Sequence, residues 1–312
     1  MIRDTLVVDA GDVSLAVYVS APREAPPLVL VHGYPDSAAV WEPLRAQLDG
    51  RYRVITYDVR GAGASEAPPY RAGYRLERLA ADLATVADAT CGGRAFHLVG
   101  HDWGSIQSWE AVTSAAFAGR IASFTSISGP CLDHAALGLR GHGGQRSSGQ
   151  NAAHRPFASG LRQTLKSWYI FVFHLPLLPE LAWRGGLARG WPLWLRLSED
   201  VRPERDPAQL RNGINGLNLY RANFIDRLFH PRARRAHAPV QFIVPLRDRY
   251  VGPPLSLGLE KWLGDYTREP IDAGHWVVLR DPEGIAARID RFAAQHPPLD
   301  RVNGVSGFAA SA

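Results

Sequence analysis

The pentapeptide Gly100-His101-Asp102-Trp103-Gly104 follows directly on the short apolar run Phe96 to Val99 and precedes a stretch of helical character, Ile106 to Ala118. A strand that passes into a helix without an intervening loop forces a tight turn, and such a turn needs small residues where backbone meets backbone. Gly100 and Gly104 supply them. The pattern favours architectures that alternate strand and helix, with the central side chain lifted above the sheet. Alone, Gly-x-Asp-x-Gly is a weak string, because turns rich in Gly and Asp match it by chance. Its neighbours must decide.

Val13 to Val19 alternate in the strand manner, and Leu28 to Val31 and Val54 to Tyr57 are short apolar runs, so three early strands are expected. Leu76, Leu79, Ala80, Leu83 and Val86 have helical spacing, and Gly92-Gly93 breaks the chain before Phe96 to Val99. Ile121 to Ile127 reads as another strand, after which regularity lapses until Val240 to Val244. A strand around Glu269 to Ile271 and a helix from Glu283 to Gln295 complete the series. The economical architecture for these 312 residues is a mostly parallel sheet flanked by helices, residues 1–129 and 239–296, with residues 130–238 inserted as a cap. Residues 297–312 read as a flexible tail.

Within the insertion, Gly138 to Gly160 is rich in Gly, Ser, His and Arg and reads as a mobile loop. Trp168 to Trp194 is dense in aromatics and leucine. A membrane-facing surface, a lipophilic tunnel and the cap's own core all fit, and the last is favoured because His174, Pro176, Pro179 and Glu180 interrupt any long apolar face.

The formal charge of +5, from 35 basic and 30 acidic residues, raises the question of nucleic-acid or anionic-membrane binding. The arginines are scattered, and the densest run, Arg232, Arg234 and Arg235 between prolines, reads as a solvated loop without a nucleic-acid motif. Cys91 and Cys131 have neither metal nor disulfide spacing, and no cofactor or metal site is expected. No apolar run reaches membrane-spanning length and no signal peptide is legible, so the expectation is a cytoplasmic protein, with peripheral membrane contact left open.

An aspartate at such a turn has a defined chemistry: its carboxylate is ionised near neutral pH and attacks an alkyl carbon without a general base. The product is an ester of the protein itself, which an activated water must cleave. A base and an oxyanion hole are therefore required. Of eleven histidines, His275 in Asp272-Ala273-Gly274-His275-Trp276 stands after the last strand and before the last helix, where a hydrolase-fold base belongs. Asp248, after Val240 to Val244, is the candidate orienting acid, with a surface ion pair to Arg247 or Arg249 as its ordinary alternative. The order Asp102, Asp248, His275 is nucleophile, acid, base. The backbone N–H of Trp103 is one oxyanion donor, and the loop His32-Gly33-Tyr34-Pro35-Asp36 should supply the second.

These motifs, together with Asp58-Val59-Arg60-Gly61-Ala62-Gly63-Ala64-Ser65, resemble the epoxide hydrolase and haloalkane dehalogenase branch of the α/β hydrolases across nearly the whole chain. The resemblance implies the α/β-hydrolase fold, Tyr34 as the second oxyanion amide, a cis bond before Pro35 and a structural role for Asp58 to Ser65. It also implies two cap tyrosines, Tyr169 and Tyr220, over the nucleophile, and a small lipophilic epoxide opened to a vicinal diol. A haloalkane or haloacid dehalogenase, with Trp103 as halide donor, and a β-lactone-opening enzyme are the enzymatic alternatives. A non-catalytic lipid-binding module is the alternative outside enzymology. Trp109 to Thr113 and Ser126 to Pro130 resemble the hydrolase half of actinobacterial fusions with a short-chain dehydrogenase. No Gly-x-Gly-x-x-Gly turn follows Pro297-Pro298, so no nicotinamide site is expected, and the chain is either a free-standing relative or part of such a fusion. The oligomeric state is not legible.

Overall fold

The computed structural model describes residues 3–20, 22–141 and 168–298. Eight strands form one sheet in the spatial order β1 (Arg3–Asp9), β2 (Ser14–Ser20), β4 (Arg53–Tyr57), β3 (Pro27–Val31), β5 (Phe96–His101), β6 (Ile121–Ile127), β7 (Val240–Pro245) and β8 (Tyr266–Ile271). β2 pairs antiparallel with β1 and with β4, and every other pairing is parallel. β3, β5 and β7 are buried along their whole lengths, as parallel strands covered on both faces must be.

Strand alternation divides the interior into two cores. Val29, Val31, Phe96, Leu98 and Phe124 join the core that includes Leu79, Leu83 and Val86 of the helix Leu76–Thr90. Leu28, Leu30, Val99, Ile127 and Ile243 join the other, with Leu44 and Leu48 of the helix Glu42–Leu48 and Ile285 and Ile289 of the helix Pro282–Gln295. Side chains that alternate along a strand project to opposite faces, so one apolar run serves both layers.

Several local expectations need correction. β1 was not anticipated, because only Leu6, Val7 and Val8 are apolar between charged residues, and Val7 stays exposed on the sheet edge. The helix after the elbow starts at Trp103 and ends at Val112, with a separate short turn at Ala115–Phe117, and the strand at Glu269 begins earlier, at Tyr266. Gly138 to Gly141 belongs to the helix Leu132–Gly141, whereas 142–160 lies outside the described residues, as does the tail from 299.

The arginine run is not a solvated loop. Arg234 holds the buried carboxylate of Glu110 through two bonds of 2.8 Å, and Arg232 and Arg234 both reach Glu110 and the buried Asp133. The basic charge is spent clamping the helices Trp103–Val112 and Leu132–Gly141 together. Asp58 to Ser65 is likewise structural: Asp58 accepts from Tyr18, Ala38 and Ala64, and Arg60 meets Asp82 through two bonds of 2.7 and 2.6 Å. Both cysteines are buried and free, and burial pushes their thiols up to about 11 and about 12, so neither is a nucleophile at neutral pH.

Between β6 and β7 the described chain forms five α-helices, Leu132–Gly141, Trp168–His174, Leu178–Ala182, Ala188–Glu199 and Gln209–Phe229, with a π-helical turn at Trp183–Leu187. Trp183 is buried and donates to the Tyr34 hydroxyl at 2.8 Å, yet Leu177, Leu181 and Leu193 face solvent. The expectation that this stretch is interior to the insertion therefore holds for its tryptophan and fails for these leucines.

Candidate active site

β5 ends at His101, and Asp102 turns the chain into the helix Trp103–Val112 with φ 52 and ψ −123. A non-glycine residue in this region stores about 1–3 kcal/mol of strain, which the surroundings must offset. Close packing does so: a Cβ on Gly104 would stand 1.9 Å from the Val31 carbonyl oxygen, and one on Gly33 would stand 2.5 Å from Asp102 Cβ. Only glycine permits this approach of the β3 loop to the elbow.

That loop presents the Tyr34 backbone N–H, which donates to Asp102 Oδ1 at 2.8 Å. Tyr34 precedes Pro35 through a cis bond, as the motif implied. Its hydroxyl donates to the Gly213 carbonyl oxygen and accepts from Trp183, tying the loop after β3 to the insertion. Trp103 opens the helix, so its amide is among the first-turn N–H groups that lack an intrahelical acceptor.

Asp102 Oδ2 lies 3.4 Å from His275 Nε2, and His275 Nδ1 lies 2.8 Å from Asp248 Oδ2. Asp248 is buried and accepts from the amides of Tyr250 and Val251 at 2.7 and 2.9 Å, which fixes its rotamer. Arg247 pairs with Asp272 instead. Burial disfavours the His275 imidazolium, but the carboxylates of Asp248 and Asp102 outweigh it and hold His275 well above its usual value. Burial disfavours the Asp248 anion, yet His275 and the two amides prevail and hold it below the ordinary range.

Tyr169, on the helix Trp168–His174, and Tyr220, on the helix Gln209–Phe229, arrive from the insertion with ring centroids 6.0 Å apart. Tyr220 stands edge-on to Trp103 at 4.8 Å and to Tyr34 at 5.4 Å. Burial raises both phenols well above their usual value; the Asp102 charge adds to each, while a bond with Tyr220 partly offsets it for Tyr169 and one with Trp103 does so for Tyr220. Both remain protonated donors at neutral pH. All seven side chains singled out from the sequence thus converge at one place.

Four further residues escaped the sequence reading. Tyr250 packs against His275 at 5.0 Å and Tyr169 at 5.5 Å, and its position two residues after Asp248 was the available signal. Asp36 accepts from the Trp276 indole N–H at 2.9 Å; burial raises its carboxyl to about 7, with the Trp276 bond opposing and Asp102 adding. His101 Nε2 donates to the His275 carbonyl oxygen at 2.9 Å, and burial, aided by the His275 charge, depresses it to about 4. Glu199 packs against the loop that carries His275, where a Cβ on Gly274 would meet its Oε2 at 2.1 Å. Burial raises Glu199, with His275 and the backbone N–H groups of His275 and Trp276 opposing. No motif marks Glu199.

The α/β-hydrolase-fold family matches residues 26–282. The chain is 32% identical over 295 residues to the probable oxidoreductase EphD of Mycobacterium tuberculosis, covering 92% of this chain and 49% of that protein. It is 30% identical over 251 residues to epoxide hydrolase A of the same organism, covering 79% of this chain and 68% of that protein. The chain thus spans about half the length of the EphD relatives it matches. A solved structure of a Bacillus megaterium epoxide hydrolase mutant superposes with TM-score 0.75 at 18% identity, over 93% of this chain and all of that one. Epoxide hydrolase A from Mycobacterium thermoresistibile superposes with TM-score 0.71 at 22% identity, over 96% of this chain and all of that one. With its sheet order, elbow and family match in agreement, the chain belongs to the α/β-hydrolase family and is related to its epoxide hydrolases.

Proposed function

We propose that this hydrolase converts a lipophilic epoxide and water to a vicinal diol through an aspartyl ester on Asp102. The observation that carries the reading is the pair of phenols, the buried Tyr220 and the partly buried Tyr169, brought from the insertion to within reach of the Asp102 charge. In this reading the insertion is a cap, and residues 1–129 and 239–296 are the body that carries the nucleophile, acid and base.

In the first step a carboxylate oxygen of Asp102 attacks a ring carbon and the carbon–oxygen bond of the epoxide breaks. The departing oxygen becomes an alkoxide, a far stronger base than phenolate, and both tyrosine hydroxyls donate to it as charge develops. Esterification removes the Asp102 negative charge. His275, held as an imidazolium partly by that charge, then loses its proton, and one proton is what the alkoxide needs. The base is thereby switched on by the first half-reaction.

In the second step neutral His275 takes a proton from water, and the hydroxide attacks the ester carbonyl carbon. The Tyr34 and Trp103 amides donate to the tetrahedral oxyanion, which collapses to release the diol and regenerate the Asp102 carboxylate. Asp248 stabilises the returning imidazolium. Protons balance over the cycle, with one water consumed for each epoxide.

Dehalogenation uses the same ester but leaves a weakly basic halide, which gains little from two phenols. Trp103 in addition packs edge-on against Tyr220 at 4.8 Å, which sets its indole beside a phenol. The deciding experiment incubates the protein with lipophilic epoxides, haloalkanes and β-lactones side by side and weighs the intact chain. Turnover of epoxides with transient alkylation at Asp102 is expected; halide release or decarboxylation without diol formation overturns the reading, and no alkylation by any class makes the chain a binding module.

A further inference from the structure

Two successive helical stretches of the insertion show leucine and arginine to solvent. Leu177, which precedes the helix Leu178–Ala182, Leu181 within it and Arg184 in the turn Trp183–Leu187 that follows are all exposed; Arg189, Leu193, Arg196 and Leu197 recur at i, i+4, i+7 and i+8 on the helix Ala188–Glu199 and are exposed too. Their other sides are occupied. Trp183 bonds to Tyr34, Leu195 is buried, and Trp191 and Trp194 pack on Trp276 at 5.7 and 5.9 Å. One layer of protein thus lines the candidate active site on its inner face and shows leucine and arginine to solvent on its outer face.

Few acids face that charge: Glu180 lies near Arg184 but bonds to Arg221, and Glu199, at the end of the second helix, packs against Gly274. Between Phe171 and Ser198 the sole acidic residue is Glu180, which is turned inward to Arg221. Arg184, Arg189 and Arg196 make no ion pair among the described residues, unlike Arg232 and Arg234. Alternating leucine and arginine on short helices is the pattern of a segment that lies in a membrane interface, with apolar side chains sunk among acyl chains and guanidinium groups at headgroup level. No described helix is long and apolar enough to cross a membrane, so contact would be with one leaflet.

We propose that this face docks on the surface of an anionic lipid bilayer. A second copy of the chain fits it less well, because a two-fold interface sets the same patch against itself and would oppose unpaired arginines with few acids to receive them. Anionic headgroups supply the negative charge. The inference does not depend on the reaction proposed above, although for a lipophilic epoxide the docked layer would be the boundary between dissolved substrate and Asp102.

The test is co-sedimentation of the full chain with phosphatidylcholine vesicles with and without phosphatidylglycerol, at low and high salt. Binding to the anionic vesicles and its loss at high salt are expected. Arg184→Gln/Arg189→Gln/Arg196→Gln should weaken partitioning roughly a hundredfold, since each basic group near such a surface contributes about a fivefold gain. Leu177→Ser/Leu181→Ser/Leu193→Ser/Leu197→Ser should abolish it, while Leu246→Ser/Leu257→Ser, which changes exposed leucines elsewhere, should bind as the parent does. Circular dichroism and turnover of a water-soluble epoxide check that each variant is folded, and turnover separates failure of this inference from failure of the reaction. Absence of binding to either vesicle, equal binding to both, or unchanged binding in the leucine and arginine variants overturns the proposal. So does parent dimerisation in light scattering that disappears with the leucines while vesicles recruit nothing.

Discussion

His275 Nδ1 lies 2.8 Å from Asp248 Oδ2, and the opposite ring nitrogen lies 3.4 Å from the Asp102 carboxylate. An imidazole between two anions is held protonated, the wrong state for a base. In the proposed reaction the conflict would resolve when Asp102 becomes a neutral ester.

The first prediction follows from that geometry. Asp102→Asn imitates the proposed neutral ester, so His275 should titrate at lower pH in this variant than in the parent. In the parent His275 stays charged as pH rises past 6.5, and in the variant the proton should come off earlier. Nitrogen-15 NMR of the imidazole measures both. Identical titrations would mean that Asp248 alone sets the charge and that esterification does not activate the base.

Replacing His275, the proposed base, should divide the reaction in two. His275→Gln keeps a polar side chain of similar reach but cannot take a proton, so alkylation should proceed and hydrolysis should stop. Intact mass should show one epoxide added per chain, stable for hours, with the adduct at Asp102. Steady turnover at the parental rate would show that another group activates water.

Removing one carboxylate should test the arginine clamp. Glu110 is buried and receives both Arg232 and Arg234 through bonds of 2.5 to 2.8 Å, so Glu110→Gln leaves two partly exposed guanidinium groups short of their main partner. Discounted for that exposure, the loss should be about 2 kcal/mol. Urea unfolding would read it as a lower midpoint, and an unchanged midpoint would mean that solvent compensates the arginines fully.

How much of this was legible depends on whether the governing contact is local. The elbow could be read because Gly100, Asp102 and Gly104 solve a steric problem within five residues, and chain order then pointed to Asp248 and His275. Arg232 and Arg234 misled because their partner Glu110 is more than a hundred residues away and nothing in the run announces it. Glu199 and the Asp36–Trp276 bond were hidden for the same reason. The leucines between Leu177 and Leu197 expose a different gap: periodicity identifies a stripe, but interior and solvent sides are assigned only when neighbouring helices are in place.

The tyrosine pair is where the choice of reaction is most open to measurement. Tyr169→Phe and Tyr220→Phe each remove one hydroxyl and keep nearly all ring contacts, including those with Phe173 at 5.4 and 4.9 Å, so the fold should persist. Loss of one donor to a developing oxyanion costs ~2.7–4 kcal/mol at a preorganised site, a hundred- to thousandfold in the alkylation rate. Because the two rings are neighbours, with centroids 6.0 Å apart, removing either hydroxyl also disturbs its partner, and the two single losses should not simply add. Each single variant should retain slow alkylation and the double variant almost none, whereas attack on a haloalkane, which needs no proton, should be affected little. Stopped-flow quenching of Trp103 fluorescence on alkylation would follow both substrates. A double variant that alkylates with epoxide as fast as the parent would reduce the phenols to packing and remove the main reason for preferring epoxide over halide.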